Sequence, residues 1–159
     1  MNNPEFVYTA YIKSTPQKVW DAITNPEFAS QYWGGNANFS DWKKGSAWKH
    51  ENARDKNAPP MVGGEVLETV PPKRLVLSWV APQDATDSSR VSFDIDVVGG
   101  LVRLVVVHDN FKAGSGMAEK VSKGWPLVLS SLKSFLETGE AIDIVAVKGA
   151  CGPAREAAA

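Results

Sequence analysis

A single cysteine, Cys151, and only two histidines, His50 and His108, stand among the 159 residues of the chain. One thiol excludes an internal disulfide framework and agrees with a reducing cytoplasm. These three residues show no ligand spacing that would hold zinc or another metal, so none is expected. Neither sign of charge dominates. Seventeen basic against eighteen acidic side chains give a net charge of -1, which withholds the positive field that nucleic acid or an acidic membrane would require. No apolar run approaches the length of a membrane-spanning helix, and the opening "MNNPEFVYTAYIKS" lacks the basic-then-apolar order of a signal peptide. The chain therefore reads as soluble and cytoplasmic, with no cofactor. The Gly-x-Ser-x-Gly elbow of a serine hydrolase is absent as well. "AGSGMAEK" lacks the spacing and the lysine-serine end of a phosphate loop, so its glycines read as a hinge between sheet and helix.

What is present suffices for one core. With 43% hydrophobic and 22% charged residues the chain fits a single globular domain. It is assigned to residues 1–139, followed by a tail, 140–159, that offers a short strand, an arm against a neighbouring molecule or a partly ordered end. "EFVYTAYIK" alternates Phe6, Tyr8, Ala10 and Ile12 against more polar neighbours, the period of a strand. The period then changes. In "STPQKVWDAIT" Ser14 or Thr15 can cap a helix with Pro16 in its first turn, and "NPEFASQYW" repeats the device with Asn25 and Pro26.

From Gly34 to Asn110 the punctuation is that of an antiparallel sheet. Six apolar segments are separated by Lys43-Lys44-Gly45, "ARDKNAPP", Pro71-Pro72, "APQDATDS" and Gly99-Gly100. The last pair predicts a tight hairpin, because both glycines tolerate positive φ. Val91, Phe93, Ile95 and Val97 should share one face of its first strand, and Leu104, Val106 and His108 the drier face of the second.

Residues 117 to 138 carry the strongest periodicity. Met117, Val121, Trp125, Val128, Leu129, Leu132, Phe135 and Leu136 fall on one helical arc about 120° wide at 100° per residue. The phase survives Pro126, which predicts one helix rather than two, with a bend near Trp125. Ser115 is the expected cap and Gly139 the expected left-handed stop. At 1.5 Å per residue such a helix is about 33 Å long and can span the sheet.

Four stretches, "STPQKVWDAITNPEFASQYW", "GGEVLETVPPKRLVLSWV", "VVVHDNF" and "KGWPLVLSSLKSFLETG", fall in an order and spacing that resemble one family. The chain is similar to homologues of the activator of heat-shock protein 90 ATPase, within the birch-pollen-allergen-like START/SRPBCC superfamily. The resemblance covers residues 6 to 138. It implies an α+β helix-grip fold: a curved antiparallel sheet of seven strands wrapped around a long carboxy-terminal helix, with two short helices after the first strand. It also implies a cavity beneath that helix, which relatives fill with lipids, sterols, polyketides or other apolar molecules.

Trp33, Trp48, Trp79 and Trp125 come from segments that can converge under the helix. Sequence alone leaves two arrangements open, rings that fill a solid core or rings that line a pocket; the resemblance favours the pocket. The expected ligand site has Trp33, Trp48, Trp79, Phe93, Trp125 and Leu129 as walls, with Tyr32 and His108 as polar anchors and His50 as a second imidazole if it faces inward. Three functions follow. The preferred one is a non-enzymatic carrier or sensor for a small hydrophobic or aromatic molecule. The second, implied by the resemblance, is a co-chaperone that stimulates the heat-shock protein 90 ATPase, although no counterpart of the separate amino-terminal domain of eukaryotic members is recognisable here. The third is a cyclase, dehydratase or hydrolase, for which His108 is the candidate catalytic group. A homodimer, with Cys151 joining two chains under oxidation, is a further expectation.

Overall fold

The computed structural model describes residues 4–150; Cys151 and the alanine-rich end lie outside them. The element order is β1 (Phe6–Ile12), α1 (Pro16–Thr24), α2 (Pro26–Tyr32), β2 (Asn36–Ser40), β3 (Ala47–Asn52), β4 (Val62–Val70), β5 (Arg74–Val80), β6 (Ser88–Val98), β7 (Leu101–Asp109), α3 (Met117–Thr138) and α4 (Ile144–Ala150). The strands form one antiparallel sheet in the order β1-β7-β6-β5-β4-β3-β2. Its single long rearrangement carries β1 to the edge beside β7, with α1 and α2 bridging to the opposite edge at β2. Curved around α3, this is the helix-grip architecture.

Local chemistry fixes each element. Thr15 accepts a hydrogen bond from the Lys18 amide and caps α1, while Asn25 accepts from Glu27 and caps α2, each ahead of a proline. These side chains satisfy amides that a first turn leaves unpaired. At the β6–β7 hairpin Gly99 and Gly100 have φ of 59° and 80°, and Val98 pairs with Leu101. The expected faces appear: Val91, Phe93 and Ile95 are buried, as are Leu104, Val106 and His108. Val97 differs. It is 65% exposed, although Val102, its partner across the hairpin, is buried.

Helix α3 runs unbroken through Pro126 for 22 residues and buries Val121, Trp125, Val128, Leu129 and Leu132. Gly139, at φ 83°, stops it in the left-handed conformation. The amino-terminal cap position is Gly116, one residue later than expected, yet the Ser115 hydroxyl still accepts from the Met117 amide. Ser131 lies on the buried side, where its hydroxyl donates to the Tyr32 carbonyl at 2.8 Å and accepts from the Ile142 amide at 3.1 Å. That bond pins the chain beyond Gly139. The segment that follows is a helix, not a strand, and Ile144 at its start is 3% exposed against the core.

Candidate functional site

Trp125 is the centre of the aromatic cluster. It projects from the middle of α3, with Trp79 of β5 at 5.4 Å between ring centroids, Trp33 at 5.8 Å and Phe93 of β6 at 5.8 Å edge-on. Trp48 of β3 lies 5.4 Å from Trp79 on the far side. Tilted and edge-to-face contacts at these separations add to the energy of burial. The rings therefore touch one another, but they do not fill the space. A cleft of ≈ 320 Å³ opens between the amino-terminal half of α3 and the sheet, lined by Trp33, Trp79, Trp125, His50, Val62, Met61, Val121, Val128 and the loop Ala81–Gln83. Gly124 and Met117 of α3 also border it, and Lys120 and Lys148 complete the lining.

Three of the eight residues expected at the site, Trp33, Trp79 and Trp125, line this cleft. The other five are brought close but lie behind its wall. Tyr32 is 1% exposed and its hydroxyl donates to the Ala22 carbonyl at 2.8 Å; burial holds its phenol well above the ordinary range. Trp48 donates its indole N–H to the Ser78 carbonyl at 2.8 Å. Phe93 and Leu129 are core residues, 2% and 3% exposed.

His108 is fully buried and both of its ring nitrogens are taken. Trp125 Nε1–H donates to its Nδ1 at 3.1 Å, which leaves the proton on Nε2, and Nε2 donates to Ser89 Oγ at 2.8 Å. Ser89 passes the chain on to the Trp79 carbonyl. This imidazole is an internal brace that fixes the tilt of Trp125, with no lone pair left for a ligand. Burial lowers its pKa to about 4, with a small opposing pull from Asp109.

His50 is the imidazole that reaches the cleft. Trp48 and His50 alternate on the buried face of β3, the pattern that the spacing of those two residues makes visible. Asn38 Nδ2 donates to the Ile23 carbonyl, so its Oδ1 faces His50 Nδ1 at 2.8 Å and accepts that ring's proton. Nε2 then carries a lone pair, and it makes no hydrogen bond among the described residues. The ring packs on Trp33 at 4.6 Å. Burial, together with the positive charge of Lys148, lowers its pKa to about 4, so the cleft presents an acceptor there at neutral pH. Lys148 had no signal in the sequence: it enters through α4, whose packing is a tertiary event.

Residues 13–137 match the model of the Activator of Hsp90 ATPase homolog 1-like protein family. The chain belongs to that family. Several solved structures share the fold. An HSP90 activator from Plasmodium falciparum, PFC0360w, superposes with a TM-score of 0.71 at 21% identity over 83% of this chain and 95% of its own. The Aha1 dimer from Colwellia psychrerythraea gives 0.66 at 20% identity, covering 86% and 98%. CalU16 from Micromonospora echinospora gives 0.67 at 21%, covering 85% and 77%. No curated protein matches the chain at a significant level. At these identities the structural likenesses establish the architecture. No described helix of this family member is long and apolar enough to cross a membrane.

Proposed function

We propose that this family member is a non-enzymatic carrier or sensor that takes a small hydrophobic or aromatic molecule into the cleft under α3. The observation that carries the reading is the set of three indoles, Trp33, Trp79 and Trp125, on the wall of an open ≈ 320 Å³ space. An aromatic-lined concavity of that size suits a compact apolar ligand, with a few polar groups to orient it. His50 Nε2 supplies one such group, an acceptor for a ligand hydroxyl or N–H. The brace from His108 to Trp125 keeps the wall rigid, which lowers the ordering cost of binding. His108 itself is engaged at both nitrogens, which disfavours it as an acid or base.

Native mass spectrometry of freshly purified protein, followed by solvent extraction, tests the proposal. A retained apolar molecule that is lost from a Val121→Trp variant, which fills the cleft, is the expected result. Protein that carries nothing and binds no member of a hydrophobic compound panel refutes it.

A second reading, a co-chaperone of heat-shock protein 90, is favoured by the family's own description and by the relative named as an HSP90 activator. Its measurement is the ATPase rate of the chaperone at saturating concentrations of this protein, where a several-fold rise supports it and an unchanged rate removes it. The relative solved as a dimer makes self-association a companion reading.

A further inference from the structure

The cleft is apolar on its walls but carries charge of one sign at its mouth. Its lining includes two ammonium groups, Lys120 on α3 and Lys148 on α4, and no carboxylate. Both lysines are exposed, and neither ammonium group makes an ion pair or hydrogen bond among the described residues. Seven other described basic residues are ion-paired: Lys49 with Glu51, Arg74 with Glu68 and Asp94, Arg90 with Asp109, Arg103 with Asp96, Lys112 with Asp84, Lys123 with Glu119 and Lys133 with Glu137. What distinguishes Lys120 and Lys148 is their place: both border one cleft whose lining holds no carboxylate.

Lys148 is held there by packing. Ser131 ties Ile142 to α3, Asp143 accepts from the Ala146 amide in the first turn of α4, and Ile144 packs against Gly34, where an added Cβ would stand 3.2 Å from its Cγ1. The positive charge of Lys148 reaches the floor of the cleft, since it acts on His50. Low-dielectric walls focus such a field inward. Residue 148 also lies beyond 13–137, the part that matches the family model.

We infer that the ligand is an organic acid: an apolar or aromatic body among Trp33, Trp79 and Trp125, with its carboxylate at the mouth between Lys120 and Lys148. The inference rests on the carrier reading and specifies the ligand's chemical class. A charged acceptor gains from two ammonium donors what a neutral isostere does not, and the carboxylate stays at the rim, where its desolvation is small. The indoles supply the apolar area.

Naphthylacetate and its uncharged isostere naphthylacetamide make the test, titrated by calorimetry, with the indole N–H resonances of Trp33 and Trp79 reporting where they bind. The acid is expected to bind about tenfold more tightly than the amide. Adding salt should weaken the acid alone. In the double variant Lys120→Gln/Lys148→Gln, both at exposed positions, the acid should fall to the affinity of the amide, and the amide should be unchanged. Equal affinities for acid and amide, or an acid indifferent to the double variant, would overturn the inference while leaving a neutral apolar pocket standing. If neither probe shifts the two indoles the inference fails too, and a retained neutral molecule in the native mass spectrum would show that the carrier reading survives it.

Discussion

Gly64 lies where β4 passes closest to β5: a Cβ added there would sit 2.3 Å from the Ser78 carbonyl oxygen. That oxygen accepts the indole N–H of Trp48, which is paired with Gly64 across β3 and β4. Trp48 thus reaches over β4 at a residue with no side chain to obstruct it, and rests on Trp79 behind the cleft. Gly64→Ala must push the strands apart or break that bond. Overpacking of this kind costs about 1–3 kcal/mol, read as a lower urea midpoint. Gly124 is the opposite case. It sits inside α3 with nothing within 4 Å of an added Cβ, so Gly124→Ala should stabilise the protein by about 0.5–1 kcal/mol through helix propensity. Midpoints that move in the same direction for both variants would contradict this account of the two glycines.

The elements themselves were legible to the extent that their signals were local. A cap at Ser14 or Thr15, which the structure resolves to Thr15, the cap at Asn25, the Gly99-Gly100 turn and the stop at Gly139 are each decided within four or five residues, and all are found. The continuity of α3 through Pro126 was legible because a break would have left the apolar arc out of phase. Faces were legible as well, down to His108 on the dry side of β7. Depth within a face was not. Alternation says that Trp48, Phe93, Tyr32 and Leu129 turn inward, but whether an inward residue meets the cleft or a second layer behind it depends on which neighbour overlies it. His108 shows why: its environment is set by Trp125 from α3 and Ser89 from β6, at sequence separations of 17 and 19. The segment beyond Gly139 was the least legible, because "EAIDIVAVKGA" suits a strand in isolation and becomes a helix with Ile144 seated on Gly34. Lys148 entered the cleft by that route.

Both histidines are folded into the protein as neutral rings, and this couples global stability to pH. Burial lowers each pKa from 6.5 to about 4; Lys148 adds to the effect at His50, and Asp109 slightly opposes it at His108. In the unfolded chain each ring takes up a proton near pH 6.5, whereas the native state refuses it until about pH 4. The unfolded state therefore binds more protons in this window, so stability is full above pH 6.5 and is lost as the pH falls toward 4. Each ring contributes a slope of up to about 1.4 kcal/mol per pH unit in the middle of the window. The lowered carboxylates, Asp84 and Glu137, are surface groups whose contribution is lost only as the pH falls through their unfolded values of 3.8 and 4.5, so the interval from 6.5 to about 5 belongs to the histidines. Urea midpoints should be level from pH 8 to 7 and decline steadily from 6.5 to 4.5. The two imidazole Cε1–H resonances should stay at their neutral positions down to about pH 5. Replacement of His108 by glutamine, which can keep a partner for Ser89, should halve the slope whatever it does to the midpoint at pH 7.5. A midpoint unchanged between pH 7 and 5, or an imidazole that titrates near 6.5 in the folded protein, would mean that these rings meet water and that the packing around Trp125 is looser than the bonded network from Trp125 through His108 to Ser89 requires.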